Sequence, residues 1–187
     1  MSLWLYLVRH GETEWSLSSR HTSRTDIPLT ARGEDGALEL GQRLRDIQFA
    51  RGLTSARRTC ELAGLGPAAE IEPDLAEWDY GEYEGRCSAD ICKGRPAWNL
   101  FRDGCPCGET PPQVSDRAER LIVRLRSLCG NVPLLSHGHF GRVLAARWLG
   151  LPVIEGQHFL LGTASLSVLG HELNHREVPV IALWNWG

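Results

Sequence analysis

The sequence predicts an α/β protein: a three-layer α/β/α sandwich with a mostly parallel central sheet and a small irregular cap. Three observations lead there. Short β-prone apolar runs alternate with stretches whose apolar residues repeat at helical spacing, the pattern of a sheet wound with helices. Two of those runs, 4–8 and 132–135, are continuously apolar, as expected of strands buried on both faces. The stretch 80–112 is rich in Gly, Cys, Pro, Arg and aromatic residues, shows little periodicity, and reads as a cap or lid insertion. At 187 residues, the chain fits a single domain over 1–187, given the usual scale of ~150 residues per domain.

The elements follow in order. After the strand Trp4-Leu5-Tyr6-Leu7-Val8 comes a polar loop from Gly11 to Pro28. Thr30 is placed to cap a helix to about Ile47, with Ala37, Leu40, Gly41, Leu44 and Ile47 on one face. A weaker strand pattern covers 47–53, and 56–63 reads as a helix that Gly64 stops. Beyond the cap, Thr110 with Pro111 in the first turn starts a helix striped by Val114, Ala118, Leu121, Ile122, Leu125 and Leu128. The strand 132–135, a helix over 140–149, and strands over 166–169 and 178–184 complete the chain.

Composition narrows the function classes. Hydrophobic residues make up 42% and charged residues 23%, which excludes a disordered or fibrous chain. A net charge of −3 without a basic run is a poor match for a nucleic-acid binder. The opening apolar run is far short of the ~20 residues that span a bilayer, and nothing around it reads as an export signal. The six cysteines, Cys60, Cys87, Cys92, Cys105, Cys107 and Cys129, then read as reduced thiols of a cytoplasmic protein. None has the paired C-x-x-C spacing of a structural zinc site, so neither a metal nor another cofactor is expected.

Two strand ends share a grammar. The first reads Val8-Arg9-His10-Gly11 and the second Leu135-Ser136-His137-Gly138. Ligands of open α/β sheets bind beyond the carboxyl ends of the strands, so both histidines point to one place. Gly11 and Gly138 each let the chain turn and approach a ligand closely. A single histidine there is ordinarily a satisfied polar residue, but two at equivalent ends, one beside an arginine, indicate a site. A neutral imidazole beside a guanidinium suits attack on phosphorus, with the arginine fork and a second histidine holding the non-bridging oxygens. The leaving alkoxide requires a proton. Glu77, in Leu75-Ala76-Glu77-Trp78-Asp79-Tyr80-Gly81, is the leading donor, since its aromatic neighbours are expected to exclude water and raise its pKa.

Leu7-Val8-Arg9-His10-Gly11-Glu12-Thr13, followed by Trp15, resembles the signature of the histidine phosphatase (phosphoglycerate mutase-like) superfamily. The likeness continues through 25–30, Glu77 to Gly85 and Ser136-His137-Gly138, four blocks in the family's order. His21-Thr22, 77–85, Arg102-Asp103-Gly104-Cys105 and 169–172 resemble its sugar-phosphatase branch, which includes sedoheptulose-1,7-bisphosphatase. The resemblance implies that His10 becomes phosphorylated, that Arg9 and His137 cradle the phosphate, that Glu77 donates the proton, and that no metal takes part. Contacts to a small phosphorylated substrate, a sugar phosphate by this reading, are assigned to Thr22, Ser23, Gly138, His139, Arg86 and Arg102. Glycolytic mutases of the family are longer and carry Arg-His where Trp78-Asp79 stands here. An acidic Asp79 at that place argues for hydrolysis over retention of a phosphoglycerate.

The chain departs from the family at one costly place. A further arginine is expected between the second strand and the second helix, but the stretch reads Leu53-Thr54-Ser55-Ala56-Arg57-Arg58-Thr59: aligned on Ala56 and Thr59 the arginine position is Ser55, and aligned on Leu53-Thr54-Ser55 the few residues that should hold the arginine are missing. Arg57 is the first substitute, ahead of Arg58 and Arg51. Losing one charge-assisted pair to phosphate costs on the order of 1.5–3 kcal/mol, or roughly ten- to two-hundred-fold in rate. Ser16 and Ser23 also stand where Asn and Gly are common, and Cys107 where the branch has Gly. The expectation is therefore a metal-independent phosphatase, slowed by the missing arginine. The alternatives are an impaired relative that binds phosphate esters, a mutase and, more distantly, a metal site at His137-x-His139. A short strand at the sheet edge offers a route to a homodimer.

Overall fold

The computed structural model describes residues 2–49, 52–66 and 69–187. Its centre is β1 (Leu3–Arg9), flanked by parallel β4 (Gly130–Ser136) and antiparallel β5 (Leu166–His171). The β1 side chains alternate between two cores, as the period of two along a strand requires. Leu3, Leu5 and Leu7 join the larger core with residues of α6 (Pro111–Arg126) and α7 (Gly138–Trp148). Val8 and Tyr6 pack in the smaller one with α2 (Ala31–Leu44) and α3 (Arg57–Leu62). That division gives the three layers.

The sheet has six strands in the order β3-β2-β4-β1-β5-β6, with β2 (Gly52–Thr54), β3 (Ala69–Ile71) and β6 (Pro179–Trp186) completing it. Pairing is parallel from β3 through β1 and antiparallel across β5 and β6. The β1–β4 register matters most for function. Arg9 lies opposite Ser136, so His10 and His137 leave the sheet side by side.

Local chemistry accounts for the helix ends. The Thr30 hydroxyl accepts from the Gly33 N–H at 3.0 Å, and α2 ends at Leu44, short of the expected Ile47. Thr110 and Gln113 form a reciprocal capping box that starts α6 with Pro111 in its first turn. Gly64 has φ of +73°, the left-handed conformation that ends α3. The strand pattern over 47–53 yields only β2, and Ala50 and Arg51 lie outside the described residues. Two short elements have no counterpart in the sequence reading, β3 and α1 (Glu14–Leu17).

The stretch 80–112 is more ordered than its composition predicts. It holds α4 (Ser88–Gly94) and α5 (Leu100–Asp103), and Tyr80, Tyr83, Ile91, Trp98, Leu100 and Phe101 join the larger core. Large aromatic rings without periodicity here mark buried packing rather than an exposed lid surface. Among the described residues no helix is long and apolar enough to cross a membrane. All six cysteines are unpaired.

Candidate active site

The parallel register brings His10 and His137 together, with ring centroids 5.1 Å apart. The His10 N–H donates to the Ser136 carbonyl at 3.0 Å, continuing the β1–β4 ladder one residue past the sheet. The His10 Nδ1 lies 2.7 Å from the Gly11 carbonyl oxygen. A carbonyl can only accept, so Nδ1 carries the hydrogen and Nε2 keeps the lone pair. Burial, then the neighbouring His137 and Arg9, push the His10 pKa down to about 3, so the ring is neutral at ordinary pH.

The two glycines act differently from each other. A Cβ on Gly138 would sit 3.2 Å from the Arg9 guanidinium carbon, so this glycine makes room for the arginine at the site. A Cβ on Gly11 would lie 2.4 Å from the Gly33 carbonyl oxygen, so Gly11 clears a path for α2 rather than for a ligand. Arg9 donates from Nη1 to the Leu161 carbonyl at 2.6 Å, while its buried Nε–H has no acceptor among the described residues. An unpartnered buried donor is costly, and an anion between the histidines would relieve that cost.

Glu77 forms the opposite wall and caps a helix. Its Oε1 accepts from the backbone N–H of Trp78 at 2.8 Å and of Phe140 at 2.7 Å, and its Oε2 from that of His139 at 3.0 Å. The carboxylate thus satisfies the first turn of α7, where N–H groups otherwise lack partners. This corrects the expectation of a raised pKa. Burial pushes it up, but His139, His137 and the backbone donors outweigh burial and hold it at about 2. Aromatic neighbours alone were an incomplete guide, because the donors come from a distant helix.

The Tyr80 hydroxyl lies 2.6 Å from the His139 Nδ1. Burial raises the Tyr80 pKa well above its usual value, so the phenol keeps its proton. Burial lowers the His139 pKa to about 3, leaving the ring neutral. His21 stacks on Tyr80 with centroids 4.6 Å apart.

These groups line a cleft of about 880 Å³ that also takes in Thr22, Ser23 and Arg57. Ser23 is already committed, its N–H and hydroxyl both donating to Glu84. Arg86 and Arg102, expected as substrate contacts, lie outside the cleft lining. Arg86 is exposed over the Tyr83 ring, and Arg102 is exposed and bound to Asp103 and the Ala97 carbonyl. Asp79 is also outside that lining and is ion-paired with Arg24. Its charge is met away from the substrate, which removes the argument drawn from it against a mutase.

No guanidinium occupies the position of Ser55, whose hydroxyl donates to the Leu75 carbonyl at 2.8 Å. Arg57 stands exposed at the first turn of α3, on the cleft wall and without an ion-pair partner among the described residues. Arg58 is taken up by Glu34 at 2.7 Å, and Arg51 lies outside the described residues. Among the described residues no group of three or more His, Cys, Asp or Glu side chains is arranged to hold a metal ion.

The sequence reading missed Tyr80 and Arg142. Arg142 lines the cleft and donates to the Gly156 and Gln157 carbonyls at 3.0 and 2.8 Å. Its position three residues after His139 on one helix face was the available signal. Thr59, whose hydroxyl accepts from the Gly11 N–H at 3.0 Å, carries no such signal.

Comparison with known proteins places this geometry. Residues 5–186 match the family profile described as the histidine phosphatase superfamily, branch 1. An acid phosphatase of Mycobacterium tuberculosis is 40% identical over 187 residues, covering 96% of this chain and 92% of that protein. The sedoheptulose 1,7-bisphosphatase of Saccharomyces cerevisiae is 37% identical over 185 residues, covering 79% of this chain and 68% of the relative. A solved structure of a functionally characterised Mycobacterium tuberculosis open reading frame superposes with a TM-score of 0.92 at 36% identity. That match covers 100% of this chain and 98% of the other.

Proposed function

The chain belongs to the histidine phosphatase superfamily, branch 1, and on that footing we propose that it hydrolyses phosphate monoesters through a phosphohistidine on His10, without a metal. The observation that carries this reading is the Nδ1–H of His10 held on the Gly11 carbonyl at 2.7 Å, which leaves a neutral Nε2 lone pair beside Arg9 and His137. Nε2 forms a bond to phosphorus as the ester P–O bond breaks, and the leaving oxygen takes a proton from Glu77. Water then attacks phosphorus, the P–N bond breaks, and the proton that water sheds returns to Glu77. Arg9 and His137 hold the non-bridging oxygens throughout.

The proton has to arrive with the substrate. The free site holds Glu77 ionised and His10 neutral, one proton short of what the first step consumes. A phosphate monoester in its monoanionic form supplies that proton. A bound phosphate also presses its negative charge on Glu77, which favours the protonated carboxyl.

For the substrate we infer a small sugar phosphate, handled in the cytoplasm. Two features support this class. The cleft is far larger than a phosphate group, with the hydroxyls of Ser16, Ser19, Thr22 and Ser88 along it, and one relative is named a sedoheptulose bisphosphatase. The exposed position of Arg57 bears on the rate and keeps the impaired ester-binding reading alive as the rival.

His10→Ala decides between them. It is expected to abolish turnover of phosphate esters and to remove an acid-labile, base-stable phosphoenzyme trapped by rapid quenching. Full activity in His10→Ala, or loss of activity to a chelator, would overturn the proposal. Wild-type protein that binds phosphate esters without releasing phosphate would establish the rival.

A further inference from the structure

Glu77 lies in a segment, 76–80, with no helix or strand of its own to fix it. Side chains do that work from one face of α6. Arg117 is 9% exposed, and its Nη1 donates to the carbonyls of Asp74 and Ala76 at 3.0 and 2.7 Å. Nη2 donates to the carbonyl of Glu77 itself at 3.2 Å. Nε and Nη2 also grip the Glu109 carboxylate at 2.8 and 2.7 Å, the two-pronged geometry that a guanidinium provides and an ammonium does not.

Glu109 completes the clamp. Its Oε2 accepts from the Asp79 N–H, its own N–H donates to the Asp79 carbonyl, and its carbonyl accepts from the Trp78 indole, each at 2.9 Å. The Arg117 guanidinium also lies 4.2 Å from the centroid of Phe140, whose N–H holds the Glu77 Oε1. One and two turns further along α6, Arg120 pairs with Asp74 at 3.0 Å and Arg124 pairs with the buried Glu72. The guanidinium therefore touches the backbone that carries the acid and the residue that grips its carboxylate.

We propose that the Arg117–Glu109 pair is a positioning device for the proton donor, setting where the Glu77 carboxyl meets the leaving oxygen. It rests on the reading of Glu77 as the acid. A residue of this kind acts on the step that needs the proton. It should therefore matter most for poor leaving groups and little for good ones, which depart with small assistance.

The test compares Arg117→Met and Glu109→Gln with Glu77→Gln on two esters, glycerol phosphate with an alkoxide leaving group and p-nitrophenyl phosphate with a stabilised phenolate. General acid catalysis contributes about 10²–10⁴-fold. On that scale Arg117→Met should lower kcat/KM, which reports only the steps through formation of the phosphohistidine, by about 100-fold on the alkyl ester and by under about 5-fold on the aryl ester. Glu109→Gln should show the same selectivity, smaller in size. Equal losses on both esters would overturn the proposal. If Arg117→Met does not fold by circular dichroism, Glu109→Gln decides by the same ratio, since it keeps an oxygen for the Asp79 amide and loses the charge and one of the two prongs to Arg117. If Glu77→Gln lacks the selectivity, the acid role of Glu77 falls and this inference with it. If Glu77→Gln shows it and neither clamp variant does, only the clamp falls.

Discussion

His10 and His137 take their places from the backbone ladder between β1 and β4, whereas Glu77, facing them, is held by side chains and helix amides. On the first wall the partners are main-chain groups, from the Arg9–Ser136 register to the His10 N–H on the Ser136 carbonyl. On the second wall they are Arg117, Glu109 and the first turn of α7. The two walls should therefore fail differently. Backbone packing tolerates almost no added volume, while the side-chain clamp is sensitive to loss of charge and hydrogen-bonding groups.

The largest expected effect tests the first wall. Gly33 of α2 lies against the loop that follows His10, and a Cβ there would come within 2.1 Å of the Glu12 carbonyl oxygen. Backbone must move to admit it. Gly33→Ala should cost ~3 kcal/mol, lowering the thermal midpoint by roughly 6–12 °C for a chain of this size, and should reduce phosphatase activity by displacing the His10 loop. A midpoint within about 2 °C of wild type would mean that this wall has slack, and the contrast with the Glu77 wall would dissolve.

The same contrast explains what was legible in the sequence. Strand ends announce themselves, because an apolar run that stops at Arg-His-Gly or Ser-His-Gly says where the chain leaves the sheet. Arg9, His10 and His137 were readable for that reason, as were the Thr30 and Thr110 caps. Glu77 was picked out by its aromatic neighbours and again by resemblance to a family, and the direction of its pKa was misjudged. Its amide donors include His139 and Phe140, whose closeness to Glu77 is a tertiary fact. Arg117 was invisible for a related reason: on the α6 pattern it reads as one more charged residue beside the apolar stripe. Arg86, Arg102 and Asp79 failed in the opposite sense. The arginines suited a phosphate site and Asp79 was read as repelling a phosphoglycerate, but nothing local told whether they face the cleft. β3 went unread because its residues are mostly exposed at the sheet edge and form no apolar run.

A second test uses pH and asks both walls at once. With the His10 pKa lowered to about 3 and that of Glu77 to about 2, neither group changes charge between about pH 4 and pH 8 in the free protein. The reaction still consumes a proton, so the ionisation that controls kcat/KM is that of the substrate, with a second phosphate pKa of about 6. The expected profile is a plateau below about pH 6 and a tenfold fall per unit above it, as the monoanion disappears. The sign follows from the depressed carboxyl: a Glu77 that kept its own proton to pH 7 would hold activity level to that point. An optimum near pH 7 with both limbs would therefore return the acid to its expected raised pKa and sharpen the assignment against the amide cage.

The smallest effect belongs to the cleft rim, which neither device holds. Arg57 is exposed, unpaired among the described residues and close enough to line the cleft, so its contribution to a bound phosphate is a screened surface attraction worth under about 1 kcal/mol. Arg57→Ala should raise KM by up to about fivefold and leave kcat nearly unchanged. Raising salt from about 0.1 M to about 1 M shrinks the screening length from about 10 Å to about 3 Å, and the difference between variant and wild type should shrink with it. A fall in kcat of a hundredfold or more, on the order expected of a group that stabilises the transition state and independent of salt, would show that Arg57 swings in to take up the missing arginine's task. The rim would then be a third working wall, built only when substrate is bound.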